Sequence, residues 1–321
     1  MARLKWGVIG AGDIARKRIA PALRDLPDCE LVSISRSRPE LAEEFAKEFG
    51  AHKWFGDWRE QIVDDEIDAV YIATPVYLHA PQTIAAASQG KHVLCEKPMA
   101  LTVAECDEMI AACRKNNVKL GIAYYRRFYP AVIRSKEIIE SGEIGKVSVA
   151  QINAFEFFDP PRDHSRAWLL DPAKSGGGPM MDFGCHRIEV LMNLFGTVSR
   201  VEGITSKASF NRDVEDTASA LLRFENGCCA TITVTHAASE PRDTLDIYGT
   251  KGSIHIPVLN IGEMLICSET GMRNEVLPPA VNTHMPLITQ FANSVLNNTA
   301  PLVDGDTGRQ VAAIIEQIYD M

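Results

Sequence analysis

Short strand-like runs and helix-like stretches alternate through the first third of the chain, and this alternation restricts the possible folds more than any other feature. Residues 4–9, 69–73 and 92–95 are mostly apolar runs of strand length, whereas residues 39–49 place Leu41, Phe45 and Phe49 on one helical face. Strands separated by helices pair in parallel and are covered on both faces. Because such crossovers are right-handed, the pattern predicts an α/β fold with an N-terminal doubly wound Rossmann domain over residues 1–123.

After about residue 123 the alternation ends, which predicts a second domain over residues 124–321. Helical patterns cover residues 130–140, 182–195 and 305–319, but strand-like segments dominate from 199 to 266. Turn sequences at 224–228 and 249–252 join neighbouring strands as hairpins. Successive strands without helices between them pair antiparallel, so the C-terminal domain is predicted to be α/β with a large, mostly antiparallel sheet.

Composition and charge exclude several classes of protein. The chain has 321 residues and a net charge of −9, so neither nucleic acid nor a membrane is an expected partner. It has no run of roughly 18 apolar residues and no signal-peptide pattern at its start, and we therefore expect a cytoplasmic protein. The eight cysteines include no CxxC pair. Reduced thiols are expected, with neither a metal site nor a disulfide framework.

A glycine-rich turn follows the first predicted strand. Gly10, Gly12 and Ala15 form a G-x-G-x-x-A pattern, and Asp13 and Ile14 begin the next helix. Gly10 permits the tight turn, Gly12 lets the backbone approach a pyrophosphate, and Ala15 keeps helix and strand close. Free N–H groups and the helix dipole then face the anion. The position on the first strand–helix unit favours dinucleotide binding over a purely structural turn, with Asp13 and Ile14 as further cofactor contacts.

The end of the second predicted strand bears on the choice of cofactor. An acidic residue there would clamp the ribose hydroxyls of NAD, but the sequence has Ser35, Arg36 and Arg38. A serine hydroxyl can hydrogen-bond a 2′-phosphate, and an arginine can pair with its charge. NADP(H) is therefore the favoured cofactor and NAD(H) the other one considered. The alternative is that both arginines belong to a solvated loop.

Four further segments, taken with the glycine turn, resemble the Gfo/Idh/MocA family of oxidoreductases. The Glu-Lys-Pro triplet at 96–98 and the pair of Asp182 and His186 are specific to this family in combination. The similarity spans nearly the whole chain in the right order and spacing. The four segments are residues 73–75 with His79, residues 90–98, residues 176–186 and residues 247–252.

The resemblance implies a Rossmann domain followed by an α/β domain whose open sheet commonly serves as a subunit interface. A homodimer or homotetramer is the assembly that follows from it. It also implies that Lys97, Asp182 and His186 surround the reacting carbon, and that a cis peptide bond precedes Pro98. The activity implied is transfer of hydride between a nicotinamide and an alcohol or ketone carbon of a sugar, inositol or related polyol.

The chemistry of the three side chains agrees with these roles. Lys97 follows a parallel strand, at the end where doubly wound sheets bind ligands, and its positive charge is disfavoured beside an oxidised nicotinamide. Asp182 and His186 are four residues apart on a predicted helix and share a face. Imidazole transfers protons near neutral pH, and Asp182 can orient it or bind a substrate hydroxyl. Either Lys97 or His186 can be the principal base, with the family resemblance favouring Lys97. A solvated lysine and a core histidine are the structural alternatives.

Other candidates come from their positions beside these motifs. We expect Thr74, Pro75, His79 and Glu96 on the cofactor side. Substrate contacts are expected from Tyr125 and Arg127 at the start of the second domain, and from Trp168 in the polar loop that also contains Arg162, His164 and Arg166. Packing at a domain junction is the alternative for the first two.

These motifs together predict an NAD(P)-dependent dehydrogenase or reductase acting on CH–OH groups. A trans-dihydrodiol or aldose-type dehydrogenase of the same family would use the same residues with a more apolar pocket. A dinucleotide-sensing regulator without enzymatic activity is a further alternative. Such a protein is expected to lose the lysine or the histidine, and both are present at positions 97 and 186.

Overall fold

The computed structural model describes residues 3–320, so Met1 and Ala2, at the start of the segment inspected for a signal peptide, and Met321 lie outside the described residues. The chain divides into two compact units. The first comprises the residues up to Tyr125 together with Asn282–Ala312, and the second comprises Arg126–Val281 together with the residues from Ala313 onwards. A long stretch of sequence thus separates the two parts of the first unit.

Six parallel strands form the sheet of the first unit. In chain order they are β1 (Leu4–Ile9), β2 (Cys29–Ser35), β3 (Lys53–Phe55), β4 (Ala69–Ile72), β5 (His92–Cys95) and β6 (Leu120–Ile122). They lie in the order β3-β2-β1-β4-β5-β6, so the direction of winding reverses between β1 and β4. Both central strands are almost wholly buried, as expected for apolar strands covered on two faces. The predicted Rossmann fold is confirmed.

Helices connect these strands. They are α1 (Ala20–Asp25), preceded by a π-helical turn at Ala15–Ile19, then α2 (Pro39–Phe49), α3 (Trp58–Ile62), α4 (His79–Ser88) and α5 (Val103–Lys115). α5 begins where the Thr102 hydroxyl accepts a hydrogen bond from the Glu105 N–H at 3.2 Å, a typical N-cap. Strand β3 and helix α3 are too short to show a period in the sequence.

The segment 282–312 packs on the sheet of the first unit. It contains α9 (Met285–Leu296) and the residues up to Ala312 of α10 (Gly305–Tyr319). Phe291 of α9 is buried, and its ring lies 5.6 Å from that of Trp6 in β1. The Ile122 N–H donates a hydrogen bond to the Val303 carbonyl at 3.0 Å. These contacts explain why residues far apart in sequence form one unit.

The second unit contains an eight-stranded sheet. Its strands are β7 (Val147–Phe157), β8 (Val198–Ser206), β9 (Thr217–Phe224), β10 (Cys229–Thr235), β11 (Ala237–Gly249), β12 (Gly252–Ile256), β13 (Glu263–Ser268) and β14 (Gly271–Val276). The order is β14-β13-β12-β11-β7-β10-β9-β8. Strands β7 and β10 pair in parallel, and the other neighbours pair antiparallel. The predicted mostly antiparallel sheet is confirmed.

The second unit also contains the helices α6 (Pro130–Ser141), α7 (Pro172–Ser175) and α8 (Cys185–Phe195), the last preceded by a π-helical turn at Met180–Gly184. Helix α8 packs on the sheet, where the Phe195 ring lies 5.4 Å from that of Phe224 in β9. Along β9 the buried Ala218, Ala220 and Leu222 alternate with outward-facing residues, as a sheet with one packed face requires. The outward face exposes several large apolar side chains, among them Phe157, Leu221, Tyr248 and Met272.

Within residues 3–320, no helix combines the length and the apolarity needed to cross a bilayer. The eight cysteines are free thiols, and six of them are buried. Burial raises the pKa of the Cys29 thiol to about 11, which keeps it protonated.

Candidate active site

A pocket of about 590 Å³ opens at the carboxyl ends of β1, β2, β3 and β4 in the first unit. Doubly wound sheets bind their ligands at this edge, where the strand order reverses. Backbone from the glycine turn forms one wall, and the loops after β2, β3 and β4 form the others. The lining residues are Ile9–Gly12, Ser35–Ser37, Gly56–Arg59, Ala73–Pro75, Tyr77, Leu78 and Gln82.

The two glycines of the turn are required for different reasons. Gly10 has a φ of 97°, and a Cβ there would lie 2.8 Å from the Ala73 carbonyl oxygen, so this position needs glycine for the fold itself. A Cβ on Gly12 would meet no atom within 4 Å in the described part of the chain. That space is open for a ligand to approach the backbone. Asp13 and Ile14 are exposed and do not line the pocket.

The end of β2 carries the residues predicted to contact the adenosine ribose. Arg36 and Ser37 line the pocket, and Arg36 Nη1 donates a hydrogen bond to the Ala11 carbonyl at 3.1 Å. Ser35 also lies on the pocket wall, but it is 1% exposed, and its hydroxyl has no hydrogen-bond partner among residues 3–320. Arg38 is exposed and lies outside the lining. The charged group that borders the pocket at this strand end is therefore Arg36.

Sequence reasoning missed the residues that follow β3. Asp57 caps α3 by accepting a hydrogen bond from the Arg59 N–H at 2.9 Å. The Arg59 guanidinium lies 4.4 Å from the centre of the Trp58 ring, and all three residues line the pocket. The signal available in the sequence was an Asp at an N-cap position after Gly56, in a segment too short for its strand to be recognised. A second arginine thus borders the pocket.

Thr74 and Pro75, which the sequence analysis expects on the cofactor side, line the pocket. His79, expected there too, is not a lining residue. The Thr74 hydroxyl donates to Gln82 Oε1 at 2.7 Å. His79 is 1% exposed, with Nε2 2.8 Å from the Thr74 carbonyl and Nδ1 2.9 Å from the Pro98 carbonyl. Burial lowers the pKa of His79, although both carbonyls favour the protonated ring. The His79 ring therefore contacts the backbone of two loops, the one that follows β4 and the one that follows β5.

Glu96 and Lys97 follow β5, and the Lys97–Pro98 bond is cis. Glu96 is 7% exposed, accepts a hydrogen bond from the Tyr71 hydroxyl at 2.9 Å and lies 3.3 Å from His284 Nε2. Burial alone raises the pKa of Glu96, but the contact with His284 and the charge of Lys97 outweigh it, so this pKa lies below its ordinary value. Glu96 is thus an anion. A carboxylate beside Lys97 opposes the loss of charge predicted for this amine.

Asp182 lies in the π-helical turn of the second unit, and His186 follows in the first turn of α8. Short π segments are frequent at functional sites, and the other one among residues 3–320 follows the glycine turn of the first unit. Asp182 is half-buried, and His186 is 2% exposed. The turn is fixed by Glu215, whose carboxylate accepts hydrogen bonds from the N–H groups of Gly178 at 2.7 Å and Met180 at 3.1 Å.

The glycines before this turn are packed against protein. A Cβ on Gly177 would lie 2.2 Å from the Tyr319 hydroxyl oxygen, and one on Gly178 would lie 2.1 Å from the Glu215 carbonyl oxygen. The Tyr319 hydroxyl donates to Glu215 Oε1 at 2.8 Å. Burial raises the pKa of Glu215, against the effect of these hydrogen bonds. Close packing around a buried carboxyl group explains the two glycines.

Asp182 has charged neighbours within the second unit. Arg166 Nη2 donates to Asp182 Oδ2 at 3.2 Å, and His236 Nε2 lies 3.9 Å from the same oxygen. Glu156 Oε1 lies 3.7 Å from His236 Nε2. Sequence reasoning considered Arg166 but missed Glu156 and His236, which lie on neighbouring parallel strands or at their ends and carry no motif.

Glu156, Asp182 and His236 could in principle hold a metal ion, because one ligand atom of each lies within 4.8 Å of the others. The surrounding arginines argue against this. Arg212 Nη2 lies 3.2 Å from His236 Nδ1, and a guanidinium can only donate, so Nδ1 accepts and the neutral ring carries its proton on Nε2. The nitrogen facing the carboxylates then has no lone pair for a metal. Arg166 already compensates the charge of Asp182.

The remaining predicted substrate contacts have other partners. The Tyr125 ring packs against His284 with 4.5 Å between ring centres. Arg127 Nε donates to Glu189 Oε1 at 2.5 Å, and burial raises the pKa of Glu189 to about 7 although Arg127 opposes it. Trp168 is half-buried in a 3₁₀ turn at Ala167–Leu170. Arg127 thus forms an ion pair with Glu189 of α8.

A glycine turn that leaves room for a ligand, at the edge of a six-stranded parallel sheet, defines a dinucleotide-binding protein. Residues 4–124 match the model of the oxidoreductase family with an NAD-binding Rossmann fold, and residues 132–255 match the GFO/IDH/MocA C-terminal domain. The chain belongs to the Gfo/Idh/MocA family of oxidoreductases, as the sequence resemblance predicts.

Several characterised relatives act on hydroxylated substrates according to their names. The chain is 33% identical to trans-1,2-dihydrobenzene-1,2-diol dehydrogenase of Mus musculus, over 87% of this chain and 81% of the relative. It is 29% identical to 1,5-anhydro-D-fructose reductase of Ensifer adhaerens, over 95% of this chain and 92% of the relative. The structure of levoglucosan dehydrogenase with NADH and levoglucosan superposes with a TM-score of 0.88, 28% identity, and coverage of 99% of this chain and 97% of that one.

Proposed function

We propose that this protein is an NAD(P)-dependent dehydrogenase or reductase that acts on a CH–OH carbon of a sugar, inositol, anhydrosugar or related polyol. The observation that carries the proposal is the pocket at the carboxyl ends of β1 to β4, where the position of a Gly12 Cβ is open to a ligand. The residues that follow β5 place Lys97 in the same unit. Relatives named for anhydrosugar and diol substrates support the substrate class.

The pocket fits a dinucleotide. The backbone of 10–12 and the helix start that follows suit a pyrophosphate, and Thr74 and Pro75 border the pocket on the β4 side. Near the end of β2 the pocket is bordered by Arg36, Ser37 and Arg59. No Asp or Glu stands at the end of β2. When bound, the nicotinamide supplies the group that accepts or donates hydride.

NADP(H) is the favoured cofactor, because two guanidinium groups border the pocket where a 2′-phosphate would bind. Arg36 is the principal contact, Arg59 is the second arginine, and Ser35 lies on the pocket wall, whereas Arg38, also expected here, lies outside the lining. The Michaelis constant for NADP is expected to be lower than that for NAD, and Arg36→Ala is expected to remove the difference. Equal constants in the unaltered protein would contradict the preference. NAD(H) would then be the working cofactor.

Lys97, His186 and Asp182 carry the proton chemistry. One of the first two takes the hydroxyl proton as hydride leaves the same carbon, and Lys97 is the favoured base with His186 as its partner. Asp182 orients the imidazole or accepts a hydrogen bond from a substrate hydroxyl. The protein thereby holds the hydroxyl and the proton acceptor in line, which is the contribution a scaffold can make to such a reaction.

The decisive experiment combines a substrate panel with one pair of variants. Sugars, inositols, anhydrosugars and diols are assayed with each cofactor by nicotinamide absorbance. Lys97→Ala is expected to lower kcat by about 1,000-fold, in the range of general acid–base catalysis, while the cofactor dissociation constant changes little. Lys115→Ala, at an exposed position of the same unit, serves as the matched control. Near-normal turnover by Lys97→Ala would refute the assignment.

A second candidate is a trans-dihydrodiol or aldose-type dehydrogenase, favoured by the similarity to the mouse enzyme. The same panel distinguishes the two, because a trans-dihydrodiol would give a higher kcat/KM than any polyol. The charged side chains around Asp182 favour the polyol, since hydroxyl groups exchange hydrogen bonds with carboxylates and guanidinium groups.

We also propose a homodimer or homotetramer and a cytoplasmic location. The outward face of the eight-stranded sheet exposes Phe157, Leu221, Tyr248 and Met272, which a second copy could cover. Size-exclusion chromatography with light scattering gives the assembly directly. A monomer at micromolar concentration would contradict it.

A further inference from the structure

His236 lies at the end of β10 in the second unit, in a position that the proposed function leaves without a role. Its side chain is 0% exposed. The rings of Phe158 and Phe183 pack against it, with centres 5.1 and 5.2 Å from that of the imidazole. Packing of this kind restricts the ring to one orientation.

Hydrogen bonding fixes which nitrogen of His236 carries the proton. Arg212 donates to Nδ1, so Nε2–H is the donor, and it faces Asp182 and Glu156. Arg212 is itself held by the carbonyls of Phe158 at 2.9 Å and Glu215 at 3.0 Å. This chain of contacts therefore ends in the Nε2–H group of His236, which lies 3.9 Å from Oδ2 of Asp182.

Asp182 is thus approached by one buried and one exposed donor. Arg166 Nη2 lies closer, at 3.2 Å, but its side chain is 43% exposed and belongs to a polar loop. His236 Nε2 lies 3.9 Å from the same oxygen, and a shift of about 1 Å by either side chain brings it to hydrogen-bond distance. The buried donor can set the orientation of the carboxylate, while the exposed one can exchange with a substrate hydroxyl.

We propose that His236 is a positioning residue for Asp182: its Nε2–H holds Oδ2 and thereby fixes the orientation in which the carboxylate meets a substrate hydroxyl. The proposal rests on the proposed function, since it assumes that Asp182 binds or orients the reacting group. It assigns Arg212 the role of fixing the tautomer. The donor favours the ionised carboxylate, so Asp182 accepts hydrogen bonds across the working pH range.

The charged groups around His236 set its response to pH. They are Asp182, Glu156, Arg166, Arg212 and Asp216. Burial lowers the pKa of His236 to about 4, and the charge of Asp182 acts in the opposite direction. The ring is therefore neutral near pH 7, and Nδ1 remains an acceptor for Arg212.

Three variants test the proposal. His236→Gln keeps a donor and an acceptor at the two ring positions, whereas His236→Leu keeps neither. The control His255→Gln removes another histidine paired with a carboxylate of the second unit, Asp246 at 2.7 Å. His236→Leu is expected to lower kcat/KM for the best polyol by roughly 100-fold, the effect of a misplaced group, while Gln and the control stay within about 5-fold of the unaltered protein.

A pH profile separates positioning from a merely structural role. Without the Nε2–H donor, Asp182 protonates more readily, so the acid limb of kcat/KM moves up by about one pH unit in His236→Leu and stays in place in His236→Gln. The proposal is overturned if His236→Leu folds and the acid limb of its kcat/KM lies at the same pH as in the unaltered protein. It is also overturned if His236→Gln and His236→Leu lose kcat/KM equally. Zinc binding that is lost in His236→Gln overturns it too, since Nε2 would then be a metal ligand.

An NMR measurement covers the cases in which the Leu variant does not fold or no polyol is turned over. The nitrogen-15 shifts of His236 are followed from pH 7 to pH 3 in the unaltered protein and in Asp182→Asn. A protonated Nε2 and a pKa that falls in the variant support the contact, and an unchanged titration overturns the proposal. If the contact holds but the panel finds no activity, the proposed function has failed, and with it the assignment of His236 to substrate positioning.

Discussion

The chain contains two glycine-rich loops that look alike in sequence and differ in what surrounds them. Residues 10–12 lead into the π-helical turn Ala15–Ile19, and residues 176–178 lead into the π-helical turn Met180–Gly184. At Gly12 a Cβ would meet no atom of the described residues within 4 Å. At Gly177 and Gly178 the same space is filled by Tyr319 and Glu215. The first loop leaves room for a ligand, and the second forms a packed support beneath the residues predicted to act on one.

The difference shows that a glycine motif alone does not indicate a ligand. Glycine is needed wherever any heavy atom comes close to the backbone, and the atom can belong to the protein. Three glycines precede Asp182 and His186 in the sequence, and by themselves they would suggest that a ligand approaches the backbone closely. In the structure they are explained by the buried carboxyl group of Glu215, which binds the Gly178 and Met180 N–H groups. The assignment of Asp182 therefore depends on its own charged neighbours.

The largest expected effect is a loss of unfolding free energy when the second loop, residues 176–178, is altered. Gly178→Ala places a methyl group 2.1 Å from the Glu215 carbonyl oxygen, which belongs to the backbone and cannot swing away. Overpacking of this kind is expected to cost about 3 kcal/mol of unfolding free energy. Its melting temperature is measured by calorimetry and compared with that of Gly12→Ala, whose methyl group has no neighbour within 4 Å among residues 3–320. Equal melting temperatures for the two variants would remove the contrast between the loops.

A smaller effect is expected on acid stability of the second unit. Burial lowers the pKa of His236 from 6.5 to about 4, so the unfolded chain binds more protons than the folded one between these values. Stability is therefore present above pH 6.5 and is lost as the pH falls towards 4, by about 2.5 kcal/mol at pH 4.5. Urea unfolding at pH 7 and pH 4.5 is compared for the unaltered protein and His236→Gln, which cannot titrate. A pH dependence that is the same in both would show that His236 is not buried in its neutral form.

Much of the first unit follows from the sequence, because its strands are continuous apolar runs and its glycine turn occupies a fixed place on β1. Periodicity could not reveal β3 and α3, which are too short, and so Asp57, Trp58 and Arg59 of the pocket were missed. It could not reveal that residues 282–312 fold with the N-terminal part, since only contacts such as Trp6 with Phe291 link them. His284 and its contact with Glu96 were missed for the same reason.

In the second unit, sequence patterns do not reveal which residues surround Asp182. The π turn, α8 and most strands were recognisable as helix or strand, but the neighbours of Asp182 come from separate elements and carry no motif. Glu156 is the second-last residue of β7, His236 follows β10, and Arg212 lies in the loop before β9. Parallel pairing of β7 with β10 brings the first two together, and this pairing is the exception in a mostly antiparallel sheet. Local sequence gives no sign of such a pairing.

The smallest expected effect concerns the first loop, residues 10–12. It tests whether Gly12 is required by the cofactor. Gly12→Val adds a branched side chain where a Cβ meets no atom within 4 Å in the part of the chain that the structure describes, so the melting temperature is expected to stay nearly unchanged. The same side chain enters the space needed by a pyrophosphate, and the dissociation constant for NADPH is expected to rise about 20-fold, close to 2 kcal/mol. Fluorescence titration of the nicotinamide measures it, with Gly12→Ala as an intermediate step. Loss of stability without loss of affinity would mean that Gly12, like Gly178, is required by the protein rather than by the cofactor.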